Sequence, residues 1–136
     1  MQKPKMDDRP VLFVATADSC PHCPLFIGKL NSEIKPALEN DYPGVFRIVE
    51  LKASNMRLFY LDPNIANYPP GLASKINHVP FVALFHGADW NNNVLNGKYY
   101  MLREDGSIDS KPLDTVNVLA WIAGCLNWLI PRERLQ

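Results

Sequence analysis

The feature that most constrains this chain is an uninterrupted apolar run that leads through a short polar turn into a helical pattern. Residues Val11–Ala15 are all apolar. Such a run is too short for a helix and is typical of a strand buried on both faces. From Pro21 to about Asn40, apolar residues recur at helical spacing, and they are Leu25, Phe26, Leu30, Ile34 and Leu38. The chain is therefore predicted to open with a buried strand followed by a helix.

The segment after the helix predicts a second strand. A Pro-Gly pair at 43–44 ends the helix. Val45–Lys52 then alternates between two faces, and Glu50 shares a face with Phe46 and Ile48. A strand–helix–strand unit of this kind places its two strands parallel through a right-handed crossover.

The rest of the chain predicts an irregular link, two more strands and a final helix. Prolines forbid long regular structure between Ala53 and Gly71. After the link the sequence predicts a short helix at 71–76, a strand at 80–85, a polar loop rich in Asn at 87–97, a strand at 98–103 and a helix at 114–130. The two strands are expected to form an antiparallel hairpin. Asp114 or Thr115 is expected to cap the last helix, and Pro131 to end it. This order predicts an α/β fold with a four-stranded mixed sheet flanked by helices.

Length and composition limit the classes of protein to which the chain can belong. The 136 residues fit a single domain over 1–136, with a core at about 11–130 and a polar N-terminal tail at 1–10. An apolar fraction of 47% suffices for a core, and 14 basic residues balance 14 acidic ones. Because the sequence has neither a basic stripe nor a long apolar span, neither a nucleic acid nor a membrane is expected as a partner.

The N-terminal tail also bears on localisation. It is polar and mixed in charge, whereas a secretory signal has a basic start, an apolar middle and a small-residue cleavage site. The chain is therefore expected in the cytoplasm or another intracellular compartment. A signal trimmed from a longer precursor is the open alternative.

The chain has three cysteines, Cys20, Cys23 and Cys125. An odd and small number argues against a disulfide framework. Only two residues separate Cys20 from Cys23, which favours chemistry at this pair. Cys125 lies in an apolar helical stretch, where packing is the favoured interpretation.

The motif Cys20-Pro21-His22-Cys23 stands where the predicted strand gives way to the helix. The first N–H groups of a helix are unpaired and its dipole is positive there, so the pKa of a thiol at this end falls below the free value of about 8.5. Cys20 is predicted to be the more exposed, nucleophilic sulfur, and Cys23 to resolve the mixed disulfide. A protonated His22 adds a charge that favours the Cys20 thiolate. Because the pair itself carries the electrons, no cofactor is expected.

These residues resemble the active-site motif of the DsbA-type oxidants in the thioredoxin-like superfamily. The segment His78–Phe85 is similar to the part of the thioredoxin fold in which an apolar residue precedes a cis proline at the head of a strand. The resemblance implies a minimal thioredoxin-like fold. It also implies that Val79 and Pro80 lie beside Cys20 and that their loop pairs with the substrate backbone, with Pro21 as a further substrate contact.

The function implied is that of a thiol–disulfide oxidoreductase that oxidises protein thiols. Its expected partners are protein thiols or disulfides and an electron-exchange partner protein. Two alternatives stay open: a disulfide reductase fed by a reductase partner, and a redox-inactive binding or structural module that keeps the fold. A C-x-x-C pair can also be half of a zinc site, for which Cys125, His78 and His86 are the remaining candidate ligands.

The chain departs from the family pattern near the motif. The buried acid of the preceding strand falls at Val14, which cannot relay protons. Glu50 is a candidate replacement, since a carboxylate between apolar neighbours can accept the Cys23 proton. A solvent-facing Glu50 is the alternative. Pro24, directly after the motif, is expected to distort the helix start.

The last helix carries two apolar stripes, Leu119, Ile122, Ala123, Leu126 and Ile130 on one and Val118, Trp121, Cys125 and Trp128 on the other. Together they exceed the single stripe of a surface helix. The second stripe is expected to meet another subunit, as in a homodimer, a partner protein or the irregular link.

Overall fold

The computed structural model describes residues 8–18, 20–53, 68–76, 79–100 and 114–129. Its strands are β1 (Val11–Ala17), β2 (Arg47–Ala53), β3 (Phe81–Phe85) and β4 (Lys98–Tyr99). Its helices are α1 (Cys23–Lys29), α2 (Lys35–Asp41), α3 (Leu72–Lys75), α4 (Gly87–Asn91) and α5 (Thr115–Leu129), and a π-helical segment, Leu30–Ile34, joins α1 to α2. The tail at 1–7, most of the irregular link, the predicted strand residues 101–103, His78 and Ile130 lie outside the described residues.

The described strands form one mixed sheet in the order β2-β1-β3-β4. Strands β1 and β2 are parallel, with Val14 opposite Glu50. Strand β3 is antiparallel to both β1 and β4. The parallel opening pair, the later hairpin and the four-stranded mixed sheet predicted from the sequence are therefore confirmed.

Strand β1 is the centre of the core, and all seven of its residues are buried. Successive side chains of a strand point to opposite faces. On one face Phe13 belongs to an apolar cluster with Phe81, Phe85 and Trp90. On the other face Leu12 and Val14 pack with apolar residues of α1 and α5. Burial on both faces is what the uninterrupted apolar run predicted.

The long helix predicted from Pro21 to Asn40 is nearly continuous but contains a wider turn. At the end of the π-helical segment the Lys35 N–H donates to the Leu30 carbonyl, five residues back. The next residue is Pro36, whose ring would collide with the carbonyl four residues earlier in an α-helix. The wider turn relieves that collision, as π-bulges and proline kinks do in other helices.

The expectation that Pro24 distorts the helix start is wrong. Helix α1 begins at Cys23, and Pro24 occupies one of its first two positions. The N–H groups of the first turn have no partner within the helix, so a proline there removes no hydrogen bond.

The prediction of a polar loop at 87–97 is also wrong in part, because Gly87–Asn91 form helix α4. Trp90 on this helix is buried, with its ring centroid 5.4 Å from that of Phe85 and 5.7 Å from that of Phe13. The many asparagines around Trp90 gave the segment a polar composition, although the Trp90 side chain packs in the core.

Gly87, the first residue of α4, stands where no side chain fits. A Cβ atom built there would collide with the backbone carbonyls of Asp8 and Arg9. We expect Gly87→Ala to lower the free energy of unfolding by about 1–3 kcal/mol, since overpacking displaces backbone. Gly124→Ala is the matched control: its Cβ meets nothing within 4 Å, and alanine there should stabilise α5 by up to about 1 kcal/mol. Urea denaturation of both variants checks this, and a neutral Gly87→Ala would contradict the packing.

Helix α5 begins as predicted, because Asp114 Oδ1 accepts a hydrogen bond of 2.8 Å from the Asn117 N–H. Val118, Ile122 and Leu129 are buried, whereas Ala123, expected on the first stripe, is exposed.

The second stripe of α5 packs against other parts of this chain: Val118 is buried, and Trp121, Cys125 and Trp128 are half-buried. The Trp121 ring lies 5.5 Å from Tyr100, and the Trp128 ring lies 4.2 Å from His86. Contact of this stripe with another subunit or partner stays a prediction.

None of the described helices has the length and apolarity needed to cross a membrane.

Candidate active site

The candidate site lies where β1 ends and α1 begins. The Asp18 N–H donates to the Ala53 carbonyl at 2.9 Å, which ties the turn to the end of the neighbouring strand β2. The Cys20 N–H donates to the Ala17 carbonyl at 3.1 Å, and the Cys23 N–H to the Cys20 carbonyl at 3.4 Å. Backbone hydrogen bonds of the sheet and the turn therefore fix the positions of both cysteines.

Cys20 and Cys23 are joined in a disulfide, with their Cα atoms 5.4 Å apart. His22 is the N-cap of α1, so Cys23 is the first helical residue and Cys20 precedes the helix. The order of exposure is as predicted, but the difference is slight: Cys20 is 3% exposed and Cys23 1%. Both pack in the cluster that contains Phe13, so in the disulfide form little of either residue reaches solvent.

The loop before β3 lies directly against Cys20. The Val79–Pro80 peptide bond is cis, the conformation expected from the sequence. The Cys20 Sγ lies 3.6 Å from the Val79 carbonyl oxygen. Pro80 is buried and Val79 half-buried. The fold thus brings together two segments that are 59 residues apart in sequence.

The other residues of the motif face solvent. Pro21 and His22 are both exposed, and the His22 side chain makes no capping hydrogen bond to the helix. The first turn of α1 contains no acidic residue. The imidazole therefore lies at the helix start with no carboxylate in the same turn.

Glu50 does not have the surroundings that a buried proton relay needs. Its carboxylate forms an ion pair with Lys35, with Nζ and Oε2 2.9 Å apart. The register places Glu50 opposite Val14, on the face of the sheet away from the cluster that holds Cys20 and Cys23. Strand β2 is at the edge of the sheet, as the alternative assumed, but Glu50 is half-buried in this ion pair and not solvent-facing.

Cys125 packs on the other side of the sheet from Cys20 and Cys23. It lies half-buried in the cluster on the Val14 face of the sheet. Burial raises the pKa of the Cys125 thiol, and the positive charge of Lys98 partly offsets that effect. Among the described residues, no three His, Cys, Asp or Glu side chains come together as metal ligands do. His78, one of the candidate zinc ligands, lies outside them.

Sequence reasoning missed Leu25, which it counted with the buried face of the helix. Leu25 is 67% exposed. The signal was present, because Phe26, Leu30, Ile34 and Leu38 already follow one another at intervals of four. A residue directly before Phe26 falls outside that stripe.

No protein-family model matches the sequence, and no curated protein is significantly similar to it. Among solved structures, a zinc-bound form of human ERp44 superposes with a TM-score of 0.52 at 12% identity, over 88% of this chain and 28% of that one. The Trx4 domain of ERdj5 superposes with a TM-score of 0.46 at 16% identity, over 90% of this chain and 83% of that one. This chain therefore spans little more than a quarter of the ERp44 chain. The predicted fold class, a minimal thioredoxin-like fold with a four-stranded mixed sheet, is confirmed.

Proposed function

We propose that this protein catalyses thiol–disulfide exchange with protein thiols through Cys20 and Cys23. The observation that carries the proposal is the disulfide between these residues at the start of α1. Its position beside the Val79 carbonyl supports the proposal, because the backbone of this loop lies within reach of a polypeptide that binds at Cys20. The partners are protein thiols, together with a second protein that restores the disulfide.

The exchange follows from the chemistry of the pair. A substrate thiolate attacks the Cys20 Sγ, the bond to Cys23 breaks, and Cys23 leaves as a thiolate. A second substrate thiolate then attacks the substrate sulfur of the mixed disulfide, and Cys20 leaves. The substrate loses two electrons and gains a disulfide, while the pair gains the two electrons. Both sulfurs of the pair take up protons from water according to pH.

The oxidising direction rests on what stabilises the reduced pair. The positive end of the helix and a protonated His22 both favour the Cys20 thiolate, which exists only in the reduced form. Stabilising the reduced form raises the reduction potential by about 20 mV per kcal/mol. We therefore expect a potential nearer the roughly −120 mV of DsbA than the roughly −270 mV of thioredoxin.

The reduction potential tests the direction. Equilibration of the protein with glutathione buffers, read by alkylation and mass, gives the value for the Cys20–Cys23 pair. A potential below about −250 mV would contradict the oxidising direction and favour the alternative function, a disulfide reductase. A pair that does not equilibrate with glutathione or dithiothreitol would leave only a redox-inactive module.

His22→Ala should lower that potential by about 5–20 mV, because an interaction between exposed charges contributes about 0.2–1 kcal/mol. The difference from the unmodified protein should shrink at high salt, because salt screens the interaction between exposed charges. A difference that does not change with salt would contradict a role for the His22 charge.

A further inference from the structure

The dipeptide Asn96-Gly97, directly before β4, combines the two residue types that favour a spontaneous covalent change. The backbone nitrogen of the residue after an asparagine can attack the side-chain amide carbon of that asparagine and close a five-membered ring. A side chain on the following residue shields this nitrogen, whereas glycine has no Cβ. Asn96 is exposed, so water reaches its amide.

The hydrogen bonds of the sheet leave the Gly97 nitrogen outside the pairing with β3. The Tyr100 N–H donates to the Val82 carbonyl at 2.9 Å, which makes these residues a hydrogen-bonded pair. Such pairs alternate with non-hydrogen-bonded ones along an antiparallel ladder, so Lys98 and Leu84, which lie opposite each other two positions along, form the next hydrogen-bonded pair. Gly97 therefore directs its N–H away from β3, and β4 is the edge strand of the described sheet.

The packing at Gly97 excludes the side chain that would shield its nitrogen. A Cβ atom at this position would lie 2.6 Å from the Phe85 ring and 2.7 Å from the Leu84 carbonyl oxygen. Phe85 is fully buried among other aromatic rings, so its ring cannot move aside. The close approach of β3 thus requires a glycine after Asn96, and the fold keeps the reactive dipeptide.

We propose that Asn96 is a modification site, at which the chain converts an asparagine into isoaspartate and aspartate without an enzyme. The Gly97 nitrogen forms a bond to the Asn96 Cγ, the bond from Cγ to Nδ2 breaks, and ammonia leaves with the Gly97 proton. Water then adds to one of the two carbonyls of the cyclic imide. Opening at the backbone carbonyl gives isoaspartate, in which the chain continues through Cγ, and opening at Cγ gives aspartate.

The products differ from asparagine in charge and in backbone length. Both add one negative charge next to Lys98. Isoaspartate also adds one atom to the backbone directly before Gly97, so it should displace Gly97 from its position against Phe85. The isoaspartyl carboxylate is the group that isoaspartate-specific methyltransferases esterify, with S-adenosylmethionine as the methyl donor.

The test follows the purified protein during incubation at neutral pH. Fragmentation of tryptic peptides locates each gain of one mass unit, and labelled methyl transfer by an isoaspartate-specific methyltransferase measures isoaspartate. Asn92 and Asn93 are internal controls, because both are exposed in the same loop and are followed by residues that have a Cβ. Asn96→Gln is the control variant, since its longer side chain would have to close a six-membered ring. The unmodified chain unfolded in guanidinium chloride gives the reference rate.

We expect Asn96 to be modified at least about tenfold faster than Asn92 or Asn93, with isoaspartate among its products, and Asn96→Gln to accept no methyl groups at this position. Unfolding should raise the rate at Asn96 by less than about tenfold, because the folded chain already leaves the Gly97 nitrogen outside the ladder. A larger rise would show that the fold protects the dipeptide and would overturn the inference. Equal rates at the three asparagines would overturn it as well.

Discussion

Cys20→Ser should reduce thiol–disulfide exchange to the rate of the uncatalysed reaction, whereas Cys23→Ser should trap the substrate. A serine at position 20 has no sulfur that a substrate thiolate can attack, so the first step cannot occur. A serine at position 23 leaves Cys20 free to form a mixed disulfide but removes the thiol that resolves it. The two variants should therefore fail in different ways.

The measurement combines an activity assay with mass spectrometry of the intact protein. Incubation of Cys23→Ser with an oxidised cysteine peptide should add the mass of one peptide, and incubation of Cys20→Ser should add far less. Cys125→Ser is the matched control, because Cys125 packs in the cluster on the other face of the sheet, and it should retain full exchange. Activity in Cys20→Ser, or its loss in Cys125→Ser, would contradict the roles assigned to the pair.

The site could be predicted from the sequence where the signal was local. The apolar run at Val11–Ala15 required burial on both faces, and the four-residue spacing from Phe26 onward fixed the inner face of the helix. These two patterns place Cys20 and Cys23 at the junction of the two elements, which is where the structure has them. The apolar run of a buried strand and the periodicity of a helix are each visible within a short stretch of residues, so a single sequence shows them.

Features that depend on distant segments were not predictable in the same way. The low exposure of Cys20 depends on Val79 and on the cluster beneath it, and no pattern near the motif encodes these contacts. Helix α4 has only five residues, too few for a periodic signal, and it is stabilised by the packing of Trp90. The ion pair between Glu50 and Lys35 joins β2 to α2, and strand alternation alone could not predict it.

Phe13→Ala should lower the free energy of unfolding by about 3–5 kcal/mol, the largest stability effect that we expect of one substitution in this chain. Phe13 is fully buried at the middle of the central strand. Its ring lies 5.7 Å from Trp90, 6.0 Å from Tyr68 and 6.1 Å from Phe81. Removal of the ring forfeits its transfer free energy and leaves a cavity among these three side chains.

The cost should be near the upper end of that range because the neighbours cannot fill the cavity. The three rings around Phe13 are rigid, and each is anchored elsewhere: Trp90 packs on Phe85, Phe81 packs on Tyr99, and the Tyr68 hydroxyl donates to the Glu50 carbonyl at 2.9 Å. Urea denaturation with the disulfide intact in every variant measures the effect. Phe13→Leu should cost markedly less, and Val94→Ala, at an exposed position, close to nothing. A loss below about 1 kcal/mol in Phe13→Ala would mean that the aromatic cluster on this face can collapse, and that it is not the rigid support on which the two cysteines rest.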